Sequence, residues 1–481
     1  MRKKGLVVLG LSGAIVVSGV GITRAEFIPT LPLGQIGRTD LQQRTGDAVQ
    51  MVCGQFIGAG GVDPNAANAT FQADLFDKCG EMVNTANALN GAENGTAKNL
   101  GISAGQLQGA LQNVAGEEAA AAGSLSTEIS DGQAKNVTKR IANLLSRSSG
   151  LQVSSANVFG SNGVFAYNPS MESGGTASAD SVDSGGFSTF VNGMVGEADR
   201  SASAGEDGFE ATSSGITAGL DYSFSAKGVL GVAFGLTSHS ADFTENESVA
   251  GGGLDMDLVG LSLYGLWFGN DWYADGVLSF GNGTIDLERR IFIPAAEGLL
   301  DADGGANDGA DRTATAETDS SQIGVSFGAG MDIVNGPFTF APYARMSFLS
   351  VTIDSYDEAG AQGLNLSVQE QDIDSLTMAF GFRLVAIKST SFGVLAPQLS
   401  VELEHEFADD ERELISTYVH DPRQNQLIAT TDAPDRDYLV AGMGISSVTR
   451  NGVQLFADVK STIGLEAIND VVYTVGGRFE F

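Results

Sequence analysis

"GVLGVAFGLTS", residues 228–238, changes character at every step. Leu230, Val232, Phe234 and Leu236 fall on one side of an extended chain, and Val229, Gly231, Ala233 and Gly235 on the other. Successive side chains of a strand point to opposite faces, so this is a β-strand with one bulky apolar face and one face of smaller residues. The same period of two recurs from Phe187 onward. In "FTFAPYARMSF" (338–348), Phe338, Phe340, Pro342, Ala344, Met346 and Phe348 oppose Thr339, Tyr343, Arg345 and Ser347. In "LTMAFGFRLVA" (376–386), Leu376, Met378, Phe380, Phe382 and Leu384 oppose Thr377, Gly381 and Arg383. In "VQLFADVKS" (453–461), Val453, Leu455, Ala457 and Val459 oppose Gln454, Asp458 and Lys460. Twelve such segments begin near 187, 213, 229, 254, 271, 321, 338, 376, 394, 437, 453 and 471. Each has the ~9–11 residues that a tilted strand needs to cross a bilayer. An even number of strands is the rule for bacterial outer-membrane barrels.

A soluble β-sandwich also alternates, so the connections decide. "SAKG" (225–228), "GN" (269–270), "NGP" (335–337), "KSTS" (388–391) and "RNG" (450–452) join alternate pairs, and every other connection reads as longer, notably 288–319, 355–373 and 407–436. Short turns on one side and long loops on the other are a property of transmembrane barrels, which a sandwich has no reason to share. Tyr264, Trp267, Phe268, Trp272 and Tyr273 flank the "GN" turn, where an interfacial aromatic girdle is expected. The acidic stretches 301–320 and 357–363 fall on the long side. The fold class is therefore an all-β transmembrane barrel of twelve antiparallel strands, over residues 187–481.

The first part of the chain has another period. "MRKKGLVVLGLSGAIVVSGVGITRAEF" has basic residues, an apolar run from Gly5 to Ile22 and a small residue, Ala25, at the expected cleavage point. That is the layout of a secretory signal peptide, residues 1–25, rather than of a retained anchor. Its removal takes away Arg2, Lys3, Lys4 and Arg24 and moves the formal charge from −33 to −37. Such a chain does not bind nucleic acid by counterion release. Residues 26–149 form a small α-helical N-terminal region: Val137, Ile141, Leu144 and Leu145 make one helical stripe, and "EEAAAAG" (117–123) is rich in helix formers. "AVQMVCGQFI" and "ADLFDKCGEMV" read as two helices around the turn "GAGGVDPNAAN". Cys53 and Cys79 are the only cysteines, and an exported chain meets an oxidising compartment, so a disulfide-bridged helical hairpin is expected. Residues 150–186 are Ser- and Gly-rich and read as a linker.

"FSTFVNGMVG" at the start of the barrel, "GITAGLDYSF" (215–224), "GVLGVAFGLTSHSADF" (228–243), "RNGVQLFADV" (450–459) and "VVYTVGGRFEF" (471–481), in this order and spacing, resemble the translocator domain of autotransporters, the twelve-stranded barrels of type V secretion. The resemblance covers about three-fifths of the chain. It implies that the barrel anchors or exports its own N-terminal region, by folding and scaffolding with no catalytic step or cofactor. It implies as partners the outer-membrane lipid, periplasmic chaperones and the barrel-assembly machinery, which reads a final strand ending in an aromatic residue. Tyr473, Val475, Phe479 and Phe481 match that signal, while Gly477 stands where a bulkier residue is usual. In the family a helix before the barrel crosses the pore. Here the residues just before Phe187 are Gly/Ser-rich rather than helical in pattern, and 117–148 is the candidate, with the N-terminal region expected at the cell surface, in the lumen or in the periplasm. What that region binds is not written in the sequence.

A porin-like pore with a periplasmic or lumen-plugging helical region is the alternative, and a rim hydrolase the third reading. Arg345, Arg383, Lys460 and Arg478 on inward positions are expected to pair with acids such as Glu402, Glu404 and Asp458, or to grip a lumenal helix, for which Gly219, Gly231 and Gly235 would leave room. "GDA" (46–48) is similar to the Gly-Asp-Ser start of a class of esterases, but Ala48 replaces the nucleophile. His405 with Asp409 and Asp410 would make an omptin-like rim. Yet Glu402, Glu404 and Glu406 share one face, and His405 lies on the other with Leu403 and Phe407, which reads as lipid-side register. "DADGGANDGAD" offers oxygen ligands, but Ala306 occupies the glycine position of a calcium loop, so it reads as a solvated loop. No metal site is expected.

Overall fold

The alternating segments close on themselves. The computed structural model describes residues 32–92, 97–123, 137, 140, 141, 144, 186–203, 206–225, 227–246, 249–299, 307–449, 453–465 and 468–480. The expected signal peptide, nearly all of the linker and Phe481 lie outside them. Three helices come first: α1 (Asp40–Ala59), α2 (Ala69–Leu89) and α3 (Ala104–Asn113). Thr39 and Ser103 cap α1 and α3 in reciprocal boxes with Gln42 and Gln106, and Gly60 ends α1 at φ 89°.

The strands follow in chain order: β1 (Gly186–Arg200), β2 (Phe209–Ser225), β3 (Gly228–Phe243), β4 (Gly252–Phe268), β5 (Trp272–Ile293), β6 (Ala310–Met331), β7 (Ile333–Asn335), β8 (Phe338–Ile353), β9 (Tyr356–Asp357), β10 (Leu366–Val368), β11 (Gln371–Ala386), β12 (Lys388–Thr390), β13 (Gly393–Glu406), β14 (Glu413–Tyr418), β15 (Gln426–Thr430), β16 (Asp437–Thr449), β17 (Gln454–Ile463) and β18 (Ile468–Glu480). Twelve of them (β1–β6, β8, β11, β13, β16–β18) pair in sequence order, every pair antiparallel. β18 returns to β1 from Ser188↔Glu480 to Arg200↔Ile468. Closure leaves no strand edge in lipid, where an unpaired row of backbone groups would have no water to satisfy it. β7 and β12 extend two turns, while β9, β10, β14 and β15 form a separate four-stranded sheet from two long loops.

The lipid face is read along β5 and β6. Trp272, Ala274, Gly276, Leu278 and Phe280 point outward, and the same register then continues as Asn282, Thr284, Asp286, Glu288 and Arg290. On β6, Met331, Ala329, Phe327, Val325 and Ile323 give way to Ser321, Asp319 and Glu317. Trp272 to Phe280 spans about 27 Å of strand, which tilt reduces to nearly the ~25 Å apolar band of such barrels. Above the band the polarity inverts: Leu254, Met256, Leu258, Ile285, Ile291 and Ile293 turn inward and are buried. β5 and β6 thus run on for twenty-two residues each, and most of the stretch expected to be an acidic loop at 301–320 is strand from Ala310 on. The loops expected over 355–373 and 407–436 carry the small sheet. The connection between β17 and β18 is only 464–467, so the expected short-long alternation ends one connection early.

Candidate functional site: the barrel lumen and its two mouths

At the long-loop mouth the chain passes from α3 into the barrel. Gly116 turns it at φ +75°, and a Cβ there would sit 2.4 Å from Leu366 Cδ1. Arg289, on the inner register of β5 above the lipid band, collects the groups that meet here. Its Nη1 donates to the carbonyl of Asn113 (2.9 Å), Nη2 to that of Leu364 (3.2 Å), and Nε to Glu358 Oε1 (2.8 Å). One guanidinium so satisfies the C-terminus of α3 and fixes a surface loop beside it. Glu117 and Glu118 follow, both buried. Burial pushes the Glu118 carboxyl up to about 8, and burial with Asp207 beside it holds Glu117 well above the usual range.

Residues 118–123 are helical and enter the lumen, where Ala121 and Ala122 pack among Phe209, Phe243, Met256, Ile285 and Ile353. Val137, Arg140, Ile141 and Leu144 are also helical and lie at the other mouth. There Val137, Ile141 and Leu144 pack against Phe190, Val229, Tyr264, Leu266, Tyr273 and Val277. These wall residues stand on the strand ends next to the short turns. The expected pore segment 117–148 therefore has described residues at both ends of the lumen.

Arg140 locks the lower end. Its Nε donates to Asp221 Oδ2 at 2.9 Å and its Nη2 to Ser188 Oγ at 3.1 Å, while its guanidinium lies 5.0 Å from the Phe190 ring centre. Asp221 also accepts from Ser188 Oγ (2.6 Å) and Tyr264 Oη (3.1 Å). Arg140 and Asp221 are 2% and 1% exposed, so each charge depends on the other.

Outside the long-loop mouth the helices sit on the loops. One apolar core joins Val49, Val52, Phe56, Leu75, Met82, Leu107 and Leu111 of the helices to Ile291, Tyr356, Leu364, Leu366, Leu414, Tyr418 and Leu427 of the barrel strands and loops. Arg312 of β6 grips Asp74 of α2 at 2.6 and 2.7 Å, Lys78 reaches Asp308 at 2.8 Å, and Gln55 exchanges bonds with Asn425. The Cys53–Cys79 disulfide is formed, with Cα atoms 5.8 Å apart, and closes the α1–α2 hairpin.

The residues singled out from sequence fall as follows. Arg345 pairs with Asp275 (2.8 Å), an acid beyond the three named from sequence, Lys460 lies 3.2 Å from Glu402, and Glu404 accepts from Tyr438 Oη (3.0 Å). Arg383 and Arg478 are buried in the wall, and Arg478 donates to Ser188 Oγ at 3.3 Å. Arg345 and Lys460 thus reach carboxylates of the wall, while Asp221 grips the helix through Arg140. Gly219 and Gly231 do make space, but for wall side chains: a Cβ at 219 would lie 2.3 Å from Phe190, and one at 231 would lie 2.1 Å from Tyr264. Those two rings then touch the helix. Of the expected girdle, Trp267 and Trp272 face outward, whereas Tyr264 and Tyr273 are buried in the lumen and Phe268 packs against the lumenal cluster. Tyr264 and Trp267 differ by three positions and so take opposite faces.

His405 bonds Asp437 (2.8 Å) between exposed Leu403 and Phe407, and Asp409 pairs with Arg436. Tyr473 and Val475 face outward on β18; Phe481 lies outside the described residues. Among the described residues no group of His, Cys, Asp or Glu could hold a metal ion. Arg140 and Asp221 escaped the sequence reading although a signal existed. Asp221 is a carboxylate on the inward parity of a membrane strand, and Arg140 lies three residues along the stripe from Val137.

A closed twelve-stranded barrel with a lipid band and helical residues of its own chain at both ends of the lumen defines an outer-membrane translocator. The chain belongs to the autotransporter β-domain family, whose model matches residues 189–460. Among solved structures it is similar to the translocator domain of the autotransporter NalP from Neisseria meningitidis (14% identity, 62% of this chain and 88% of that one, TM-score 0.46). It is also similar to the β-domain of the Bordetella autotransporter BrkA (17%, 62% and 100%, 0.44) and to the transport unit of AIDA-I from Escherichia coli (13%, 61% and 90%, 0.39). No curated protein matches the chain.

Proposed function

We propose that the barrel carries its own N-terminal helical region to the cell surface and holds it there, with the 117–144 segment left in the lumen as the tether. The observation that supports this is topological. α1–α3 pack on the long-loop end, while the described lumenal residues reach the short-turn end, where β1 begins at Gly186. A chain threaded in this way has its helical region and the start of its first strand at opposite mouths of the barrel, so the N-terminal part reaches its place through the lumen. Folding against the loops on the far side buries apolar surface and makes the step directional. The final strand, with Tyr473, Val475, Phe479 and Phe481, serves as the assembly signal, and periplasmic chaperones keep the unfolded chain competent. The role is scaffolding, with no chemical step.

Epitope tags test the arrangement. One is placed in the turn at 61–66, a second in the long loop at 422–424 and a third at the short turn near Gly336. Staining of the first two on intact cells, with the third visible only after permeabilisation, is the expected result. Staining of the loop tag without the 61–66 tag would refute export, and staining of the Gly336 tag on intact cells would reverse the orientation.

A further inference from the structure

Ser188 stands at a junction. Its hydroxyl donates to Asp221 Oδ1 on β2 (2.6 Å), and it accepts from Nη2 of Arg140 on the lumenal helix (3.1 Å) and from Nη2 of Arg478 on β18 (3.3 Å). A hydroxyl has one proton to give and two lone pairs to receive with, so its capacity is filled. Two further contacts follow the same line. The Arg140 guanidinium lies 5.0 Å from the ring centre of Phe190, and Phe190 faces Arg478 across the β1–β18 register. Arg140, Phe190 and Arg478 also border one narrow space with Gln454 and Phe456 of β17. The helix residue therefore meets strands on both sides of the joint between β1 and β18. That joint differs from the rest of the wall. Every other neighbouring pair of the twelve barrel strands is consecutive along the chain and tied by a connection at one end, whereas Ser188 and Arg478 are 290 residues apart. At the short-turn mouth both strands reach their ends, at Gly186 and Glu480. Strand ends of this kind open locally at low cost unless something holds them.

We infer that the lumenal helix is the clasp of this joint: Arg140, acting through Ser188 and Asp221, holds the ends of β1 and β18 together from inside, so the wall is tight at the short-turn mouth while the tether is seated and loosens there first when it leaves. Arg140 is in this sense a positioning residue for the wall as well as an anchor for the helix. Seating of the tether and closure of the joint share the same contacts, so each stabilises the other by the same amount. The inference rests on the 117–144 segment being the lumenal tether, and not on the direction from which it arrived. Surface tags decide that direction, and exchange at the joint decides the clasp.

The test is hydrogen–deuterium exchange, read by mass spectrometry, on the full chain in detergent micelles. Peptides 186–192 and 474–480 report the joint, and peptides 382–386 and 394–398, at the short-turn end of the β11–β13 pair, serve as the reference. Ser188→Ala removes the hydroxyl and leaves Arg140 beside Asp221, and Arg140→Met removes the guanidinium and keeps an apolar side chain in its place. Each is expected to speed exchange at the joint about tenfold, the effect of roughly one hydrogen bond to a charged group, with the reference unmoved. Unchanged exchange at 474–480 in either folded variant, or an equal rise at joint and reference, would overturn the clasp. Heat-modifiable mobility on gels shows which variants fold. If Arg140→Met does not, Ser188→Ala decides alone, since it leaves the buried ion pair in place.

Discussion

Replacing Asp221 by alanine isolates what holds the tether in the barrel. The change leaves the buried Arg140 guanidinium, 2% exposed, without the carboxylate it pairs with, and deprives Ser188 and Tyr264 of their acceptor. Breaking a buried pair by removing one partner costs about 3–5 kcal/mol. At about 1.4 kcal/mol per tenfold, the population with the lower end of the helix unseated should rise by about two to three and a half orders of magnitude. A cysteine at position 137, where the native Val137 is fully buried, reports it: the alkylation rate by a bulky maleimide follows the unseated fraction. The native cysteines do not compete, because they are joined to each other. In this background Asp221→Ala should label faster by about two to three and a half orders of magnitude. Arg140→Met with Asp221→Leu should label more slowly than Asp221→Ala, because no uncompensated charge remains. A change below threefold for Asp221→Ala would show that packing alone holds the helix and that the ion pair contributes nothing.

Three further outcomes follow from the same contacts. Changing Cys53 and Cys79 to serine opens a cross-link with a sequence separation of 26. By the chain-entropy model this costs the helical region ~3 kcal/mol in chemical denaturation. Burial holds the Glu118 carboxyl protonated in the folded state up to about 8, against 4.5 for the ordinary carboxyl. Between those values the unfolded state gives up protons that the folded state retains, so the long-loop mouth loses stability as pH rises from 4.5 to 8. Proteolysis within 97–123 should therefore be faster at pH 8.5 than at pH 5, and Glu118→Gln should flatten the profile. Gly231→Ala drives a methyl into Tyr264 and should lower barrel stability by about 1–3 kcal/mol, measured by the temperature of the gel-mobility shift; adding Tyr264→Ala should recover part of the loss.

How much of this was legible depends on the height along the strand. Leu230, Val232, Phe234 and Leu236 against Gly231 and Ala233 disclose both faces, because lipid demands apolar side chains at every second position. Above the band that demand ends, and the same period of two persists with its sense reversed. Asp255 and Asp257 face water while Leu254, Met256 and Leu258 line the lumen. A reading that equates apolar with outward stops at the band, which is why the upper half of β6 looked like loop. The lumenal helix was legible in Val137, Ile141 and Leu144 as a stripe, but its partner Asp221 is eighty-one residues away. No local pattern pairs them. The docking of the helices was hidden for a related reason: Leu366, Leu414, Tyr418 and Leu427 sit in short strands of two separate loops, each too brief to announce a core.

The joint core of helices and loops limits what the molecule can exchange. A translocator whose cargo hangs from a bare stalk can swap that cargo freely. Here Leu364, Leu366 and Tyr418 would lie open to water if another sequence took the place of α1–α3, and Arg289 and Arg312 would lose the carbonyl and carboxylate that they hold. α1–α3 and the barrel loops are two halves of one interior, and a sequence grafted in place of the helices would have to bring half of that interior with it.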